Sequence, residues 1–316
     1  MTGQRILVTG ASGFIGGALC SQMLSRGLNV RGITRSLRNF PTGVECMSVG
    51  EIDDTTDWKE ALVGCSVVIH LAARAHVMAE TAEDPLAEFR RINMKGTLNL
   101  AKQAARHGVR RFIFISSIGV NGAETFTRPF FAEDVAVPHS PYAISKHEAE
   151  LALKELAVKT GLEVVIIRPP LVYGPGAPGN FAAMMHWLRR GVPLPLGAIY
   201  NQRSLVALDN LVDLIITCLI HPAAANQTFL VSDGEDVSTT ELLCRMGQAM
   251  NCPARLMPVP AGLLKRAAAL IGKRDMAQRL CGSLQLDIQK TRQLLGWEPP
   301  FSLAQGLKKA AEKLAL

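Results

Sequence analysis

The sequence predicts a doubly wound α/β protein: a parallel sheet covered by helices on both faces, with a smaller α/β lobe interleaved with it. Three observations predict this. Apolar runs alternate with helical patterns through the first half of the chain, a glycine-rich turn follows the first run directly, and one more strand-like run recurs late, near residues 228–232.

Residues 5–9, 29–34, 67–71, 111–116 and 163–168 are short apolar runs. Unbroken apolar runs of this length suit parallel strands buried on both faces. Helical patterns at 18–26, 87–107 and 142–160 lie between them, and repeated βα units imply a parallel sheet. After Pro169 the texture changes. Residues 171–197 are rich in Gly and Pro and read as loop plus a short helix. Residues 228–231 read as a strand returning to the main sheet. Ser238 and Glu241 form a capping-box signal that opens a helix, and two more helices follow around 287–295 and 303–316. Residues 263–274 are apolar and basic; a docked helix is favoured there over a membrane-surface segment. The chain therefore divides into residues 1–170, completed by the returning strand, and an interleaved lobe of residues 171–316.

Composition narrows the function classes. The 316 residues are 48% hydrophobic and 19% charged, which suits a globular protein and excludes disorder. Aromatics are 5%, too few for a stacking platform for single-stranded nucleic acid, and the net charge of +7 comes without a nucleic-acid motif. Most of that excess reads as solvated basic surface, and part of it suits an anionic substrate such as a nucleotide diphosphate. The seven cysteines include no Cys-x-x-Cys pair, so reduced thiols in a cytoplasmic protein are expected. No signal peptide and no transmembrane run is expected.

Gly10-Ala11-Ser12-Gly13-Phe14-Ile15-Gly16 follows the first strand and opens a helix. Gly10 permits the tight turn, Gly13 lets the backbone approach a pyrophosphate, and Gly16 lets helix and strand pack closely. The helix start then offers free N–H groups to phosphate. The setting at the head of a βαβ pattern makes this a Rossmann-type dinucleotide site. At the end of the second strand, an acidic residue would accept the ribose 2′-hydroxyl of NAD. Thr34-Arg35-Ser36 stands there, with Arg38 nearby, and a neutral residue followed by Arg favours the 2′-phosphate of NADP(H) over NAD(H).

Tyr142 and Lys146 share a helix face at i, i+4 spacing. A free tyrosine, with a pKa of about 10, is a poor acid–base group at neutral pH. A neighbouring ammonium and an oxidised nicotinamide favour the phenolate. Ser117 ends a strand at the carboxyl edge of the sheet, where its hydroxyl can hold a substrate oxygen while Tyr142 moves the proton. Ser117, Tyr142 and Lys146 are the candidate catalytic residues.

These motifs, with His70-Leu71-Ala72-Ala73, Asn93, Gly96-Thr97, Ser116-Ser117 and the run Arg168-Pro169-Pro170-Leu171-Val172-Tyr173-Gly174-Pro175, resemble the extended short-chain dehydrogenase/reductases of the nucleotide-sugar epimerase/dehydratase family. The resemblance covers nearly the whole chain. It implies that Leu71, Ala72 and Ala73 line the dinucleotide, that Pro169 and Leu171 pass the nicotinamide, that Glu51 and Ile52 lie near adenine, and that Lys146 grips the nicotinamide ribose. It leaves Asn93 open between cofactor contact and packing. Similar enzymes pair two subunits through the helices before and after Ser117, which implies a homodimer.

The second lobe is expected to select a UDP- or dTDP-linked sugar. Asn180 heads a helical run and Arg203 precedes an apolar stretch; in similar enzymes residues so placed hold the diphosphate, and helix N–H groups and a guanidinium fork suit that task. Arg279 is a second candidate phosphate ligand, and Arg74 and His76 are placed to reach the sugar. No Cys or His partner for His76 suggests a metal. The 4,6-dehydratases of the family carry an Asp-Glu pair after the catalytic hydroxyl residue, where this chain has Ile118-Gly119. Neither side chain transfers a proton, so dehydration is disfavoured. Asn121 stands in a run where similar epimerases often carry Tyr. Two reactions remain. An NADPH-dependent reduction of a 4-keto sugar nucleotide in O-antigen or polysaccharide precursor synthesis is favoured by Arg35; NAD-dependent 4-epimerisation of a UDP-hexose is the alternative. A non-catalytic dinucleotide sensor would not need Ser117, Tyr142 and Lys146 together.

Overall fold

The computed structural model describes residues 5–35, 43–75 and 83–312. Its first half runs β1 (Arg5–Thr9), α1 (Phe14–Ser25), β2 (Asn29–Thr34), β3 (Glu45–Ser48), α2 (Lys59–Leu62), β4 (Cys65–His70) and α3 (Pro85–Phe89). A π-helical stretch, Arg90–Gly96, leads into α4 (Thr97–Arg106), β5 (Arg111–Ile115), α5 (Pro141–Thr160) and β6 (Glu163–Arg168). The second half contains β7 (Leu171–Tyr173), α6 (Asn180–Arg189), β8 (Arg203–Ala207), α7 (Leu208–Ile220), β9 (Thr228–Leu230), β10 (Asp236–Val237) and α8 (Thr239–Ala249). Four helices end the chain: α9 (Ala261–Leu270), α10 (Arg274–Cys281), α11 (Gln289–Leu295) and α12 (Leu303–Glu312).

The main sheet has seven strands in the order β3-β2-β1-β4-β5-β6-β9, all parallel to their neighbours. The pleat divides the core. Ile6 and Val8 of β1, Ile113 and Ile115 of β5, and Val165 and Ile167 of β6 face α1 and α7. Their alternates Leu7, Phe112, Phe114, Val164 and Ile166 face α2, α4 and α5. Burial on both faces explains why these strands read as unbroken apolar runs. Strand order reverses between β1 and β4, which opens a crevice at the carboxyl ends of the strands.

The returning strand is β9, which pairs in parallel with β6. Just beyond it, Asp233 ties the two sheets together: it accepts from the Ala207 amide, the Asn210 side chain and the Tyr173 hydroxyl, each at 2.7 Å. The second sheet, β10-β8-β7, packs with α6, α8 and α12 around a third apolar cluster that includes Tyr173, Phe181, Leu243 and Leu307.

Several elements differ from the sequence reading. Residues 171–173 and 203–207 are strands of this second sheet, where loop was expected for the first. Stretches of three to five residues carry too little periodicity to read. The strand β3 has four residues, half-exposed, and was likewise not foreseen. The expected helix at 87–107 is broken into α3, the π-helical stretch and α4. Helix α1 begins at Phe14, immediately after Gly13 at its N-cap. The capping signal before α8 is present: the Ser238 hydroxyl accepts from the Glu241 amide at 3.0 Å.

Candidate active site

The glycine turn is built by contact. Gly10 has φ +67, and a methyl group there would stand 2.9 Å from the Ala72 nitrogen at the end of β4. A methyl at Gly16 would fall 2.2 Å from the Gly10 carbonyl oxygen. Only glycine lets α1 lie this close to the strand it follows. Gly13 takes the N-cap position and supplies no side-chain cap, so the first amides of α1 keep donors for an anion. Phe14 and Ile15 form the first positions of that helix, and the cradle fits a dinucleotide pyrophosphate.

Behind the turn runs a chain of buried polar groups. Thr97 Oγ1 donates to the Asn93 carbonyl at 2.7 Å, so it accepts from His70 Nε2 at 3.0 Å. His70 Nδ1 therefore accepts from Thr9 Oγ1 at 2.7 Å, and the Thr9 oxygen accepts the Ala72 amide at 3.2 Å. Every proton is assigned with a neutral imidazole. Burial, aided by the charge of Lys146, pushes the His70 pKa down to about 3. Asn93 bonds Arg74 through both its oxygen and its nitrogen, at 2.8 and 3.1 Å, and also reaches Ser145 Oγ at 3.1 Å. It fastens the segment Leu71, Ala72, Ala73, Arg74 to α5, a packing role that the sequence left open. Ile52 packs against Gly96, and exposed Glu51 pairs with Arg91 at 3.3 Å.

Ser117, Tyr142 and Lys146 meet at the carboxyl end of β5. Helix α5 starts where it does because the Ser140 hydroxyl accepts from the Ala143 amide and Pro141 takes the first turn; it stops at Gly161, with φ +75. Tyr142 and Lys146 thus fall in its opening turns. Half-buried Ser117 accepts the Gly119 amide at 3.1 Å, and a methyl at Gly119 would lie 3.4 Å from both Ser117 Oγ and Ala143 Cβ, which sets Ser117 beside the start of α5. The Pro169 carbonyl accepts the Ile118 amide at 3.0 Å, placing Pro169 and half-buried Leu171 alongside. Phe89 meets the Tyr142 ring edge-on, with centroids 6.1 Å apart, and Arg74 lies over Phe89 at 5.4 Å.

Lys146 is fully buried, donates to the Ile115 carbonyl at 2.8 Å, and lies 4.4 Å from the Phe114 ring centroid. Burial pushes its pKa down to about 7, opposed by Glu150 one turn further on. The expected lowering of Tyr142 is not found in the protein alone: burial pushes its phenol up to about 12. The Lys146 nitrogen is 5.9 Å from the Tyr142 ring centroid and turned to a carbonyl, so desolvation wins. Glu150 anchors a second buried network, accepting from Ser116 Oγ at 2.5 Å and from Arg168 at 2.9 and 2.5 Å. Arg168 reaches on to Asn121 Oδ1 at 2.9 Å, so Asn121 supports the floor of the site.

On the second lobe, exposed Asn180 is the first residue of α6 and Arg203 the first of β8. Arg203 donates to the Gly282 carbonyl at 3.0 Å, and among the described residues no carboxylate pairs with it. Burial lowers its pKa. Arg279 is exposed in the last turn of α10, three residues before Gly282. Ser36, Arg38 and His76 lie outside the described residues. Among the described residues, no His, Cys, Asp and Glu group is arranged to hold a metal.

The model of the NAD dependent epimerase/dehydratase family matches residues 6–232. A UDP-glucose 4-epimerase of Vibrio cholerae is 48% identical over 312 residues, covering 98% of this chain and 95% of that protein. The structure of the Thermotoga maritima UDP-glucose 4-epimerase with UDP-glucose superimposes with a TM-score of 0.80 at 25% identity, covering 99% of both chains. The Thermus thermophilus UDP-glucose 4-epimerase, in complex with NAD, gives the same TM-score, identity and coverage. This last likeness, to a structure that holds NAD, overturns the expected preference for NADP(H). The physical reason lies at the end of β2. Thr34 is buried and Arg35 is exposed, and an exposed arginine can stack on an adenine as well as pair with a 2′-phosphate, so its charge does not discriminate the two dinucleotides.

Proposed function

The chain belongs to the NAD dependent epimerase/dehydratase family, and from that premise we propose that it is an NAD-dependent 4-epimerase of a UDP-linked hexose. The observation that carries this reading is its likeness, along nearly the whole chain, to the Vibrio cholerae UDP-glucose 4-epimerase. The reductase reading leaned on Arg35 and NADP(H), and that support goes with the corrected cofactor preference. Dehydration is disfavoured by Ile118 and Gly119, which fill the 3₁₀ turn after Ser117 without a carboxyl group.

In this reading Gly10, Gly13, Phe14, Ile15 and Gly16 hold the pyrophosphate of NAD against the start of α1, and Leu71, Ala72 and Ala73 line it. When bound, NAD supplies a hydride acceptor at C4 and a positive ring that favours the Tyr142 phenolate. Tyr142 Oη takes the proton of the C4 hydroxyl and gives it back after the keto sugar has turned. Ser117 Oγ holds the same oxygen, with its acceptor side fixed by the Gly119 amide. Lys146 sustains a positive charge beneath the site, and its depressed pKa means that this charge falls away above about pH 7 in the protein alone. Arg203 and Asn180 hold the diphosphate. Arg203 suits this because it is half-buried and, among the described residues, its guanidinium donates to the Gly282 carbonyl with no carboxylate paired to it.

The test is to incubate the purified protein with UDP-glucose and no added reductant, then identify the hexose released by acid hydrolysis. Galactose supports the reading. Glucose alone, with reduction of a 4-keto sugar nucleotide at the expense of NADPH, contradicts it.

A further inference from the structure

Helices α9 and α10 pack together as a hairpin that carries apolar side chains on its inner and its outer face. Ala268 and Ala277 are buried, and Leu264, Leu280 and Cys281 pack on the third apolar cluster. That is enough to dock the hairpin on its lobe. The outer face is apolar as well. Leu263 and Leu270 share a helical stripe and are 60% and 89% exposed; Ile271, at the turn, is 68% exposed, and Met276 on α10 is 44% exposed. Lys265, Arg266, Lys273 and Arg274 are exposed among these side chains. Among the described residues none of the four forms an ion pair, whereas surface arginines elsewhere, such as Arg90, Arg91, Arg128 and Arg245, are paired with carboxylates.

We propose that this outer face docks on the surface of an anionic phospholipid bilayer. Two leucines, an isoleucine and a methionine along the hairpin, flanked by cations that form no ion pair among the described residues, are the two components that peripheral membrane binding combines: apolar area for the acyl boundary and positive charge for the headgroups. Charge complementarity selects the occupant, because four cations without an ion-pair partner among the described residues suit phosphate headgroups and repel the surface of a chain with net charge +7. Among the described residues no helix is long and apolar enough to cross a membrane, so the contact is peripheral and reversible. The chain leaving α10 passes through Gly282, whose carbonyl Arg203 grips, so the docked hairpin is fastened to the lobe that carries Arg203.

The experiment is co-sedimentation of the full chain with vesicles of phosphatidylglycerol and phosphatidylcholine, against vesicles of phosphatidylcholine alone. Binding to the anionic vesicles is expected, and it weakens as salt is raised. The pairs Leu270→Ser/Ile271→Ser and Lys273→Glu/Arg274→Glu each lower that binding by about tenfold or more while keeping the thermal unfolding midpoint. Failure to bind anionic vesicles, or binding by both variants equal to that of the wild-type chain, overturns the proposal. It is also overturned if the variants convert a dimer to a monomer in analytical ultracentrifugation without changing vesicle binding, since a second copy then covers the face. Because the readout needs no substrate, its failure leaves the epimerase reading untouched.

Discussion

Lys146 directs its ammonium at the carbonyl oxygen of Ile115, 2.8 Å away, from a position only 1% exposed to solvent. A lysine buried in this way is held at a cost to stability, which shows in a pKa pushed down from 10.5 to about 7. Between those values the unfolded chain binds more protons than the folded one, so stability rises with pH across that window. The substitution Lys146→Met should abolish turnover yet stabilise the fold at pH 7 by about 1–2 kcal/mol. Urea unfolding at pH 7 and pH 9.5 measures it: the wild-type protein should gain on the variant as pH rises. Parallel pH dependence in the two proteins would show that Lys146 is not desolvated.

Gly16 and Gly17 are adjacent glycines with opposite tolerance. A methyl at Gly16 meets the Gly10 carbonyl at 2.2 Å, while one at Gly17 meets only the Ala11 oxygen, at 3.9 Å. Gly16→Ala should lose the copurifying dinucleotide and about 1–3 kcal/mol of stability. Gly17→Ala should keep both. Nucleotide released on denaturation and thermal melts decide it; retained cofactor in Gly16→Ala would contradict the proposed cradle.

The Glu150–Arg168 pair is almost fully buried, at 1% and 3% exposure. Glu150→Leu leaves the Arg168 guanidinium without its counter-charge, and should cost about 3–5 kcal/mol. The double change Glu150→Leu/Arg168→Met should recover most of that. An additive loss in the double variant would mean that the two side chains act independently.

Arg203 is the sharpest substrate-side test. Arg203→Ala should raise KM for the UDP-hexose by about 10- to 100-fold, the equivalent of one charge-assisted hydrogen bond, with kcat little changed. An unaltered KM would remove Arg203 from the diphosphate site.

The legible parts of this site were those whose chemistry is local in sequence. The glycine turn needs a few consecutive residues, Tyr142 and Lys146 need one helix turn, and β1, β5 and β6 announce themselves because both faces are buried. The networks that hold these parts were not legible. Thr9, His70, Thr97 and Asn93 come from three separate stretches of chain, as do Ser116, Glu150 and Arg168, and only the fold brings them within bonding distance. The second sheet was missed because β7 and β10 are too short to show a period. The dinucleotide was misjudged because one exposed arginine, Arg35, serves either cofactor.

The most direct test of the central claim is the fate of a deuterium placed at C4 of UDP-glucose. If the protein is a 4-epimerase, UDP-galactose forms without added NADPH and keeps the label at C4, because the hydrogen removed from that carbon is the one returned to it. Loss of the label from C4, or product formed only with NADPH consumed, would contradict the account.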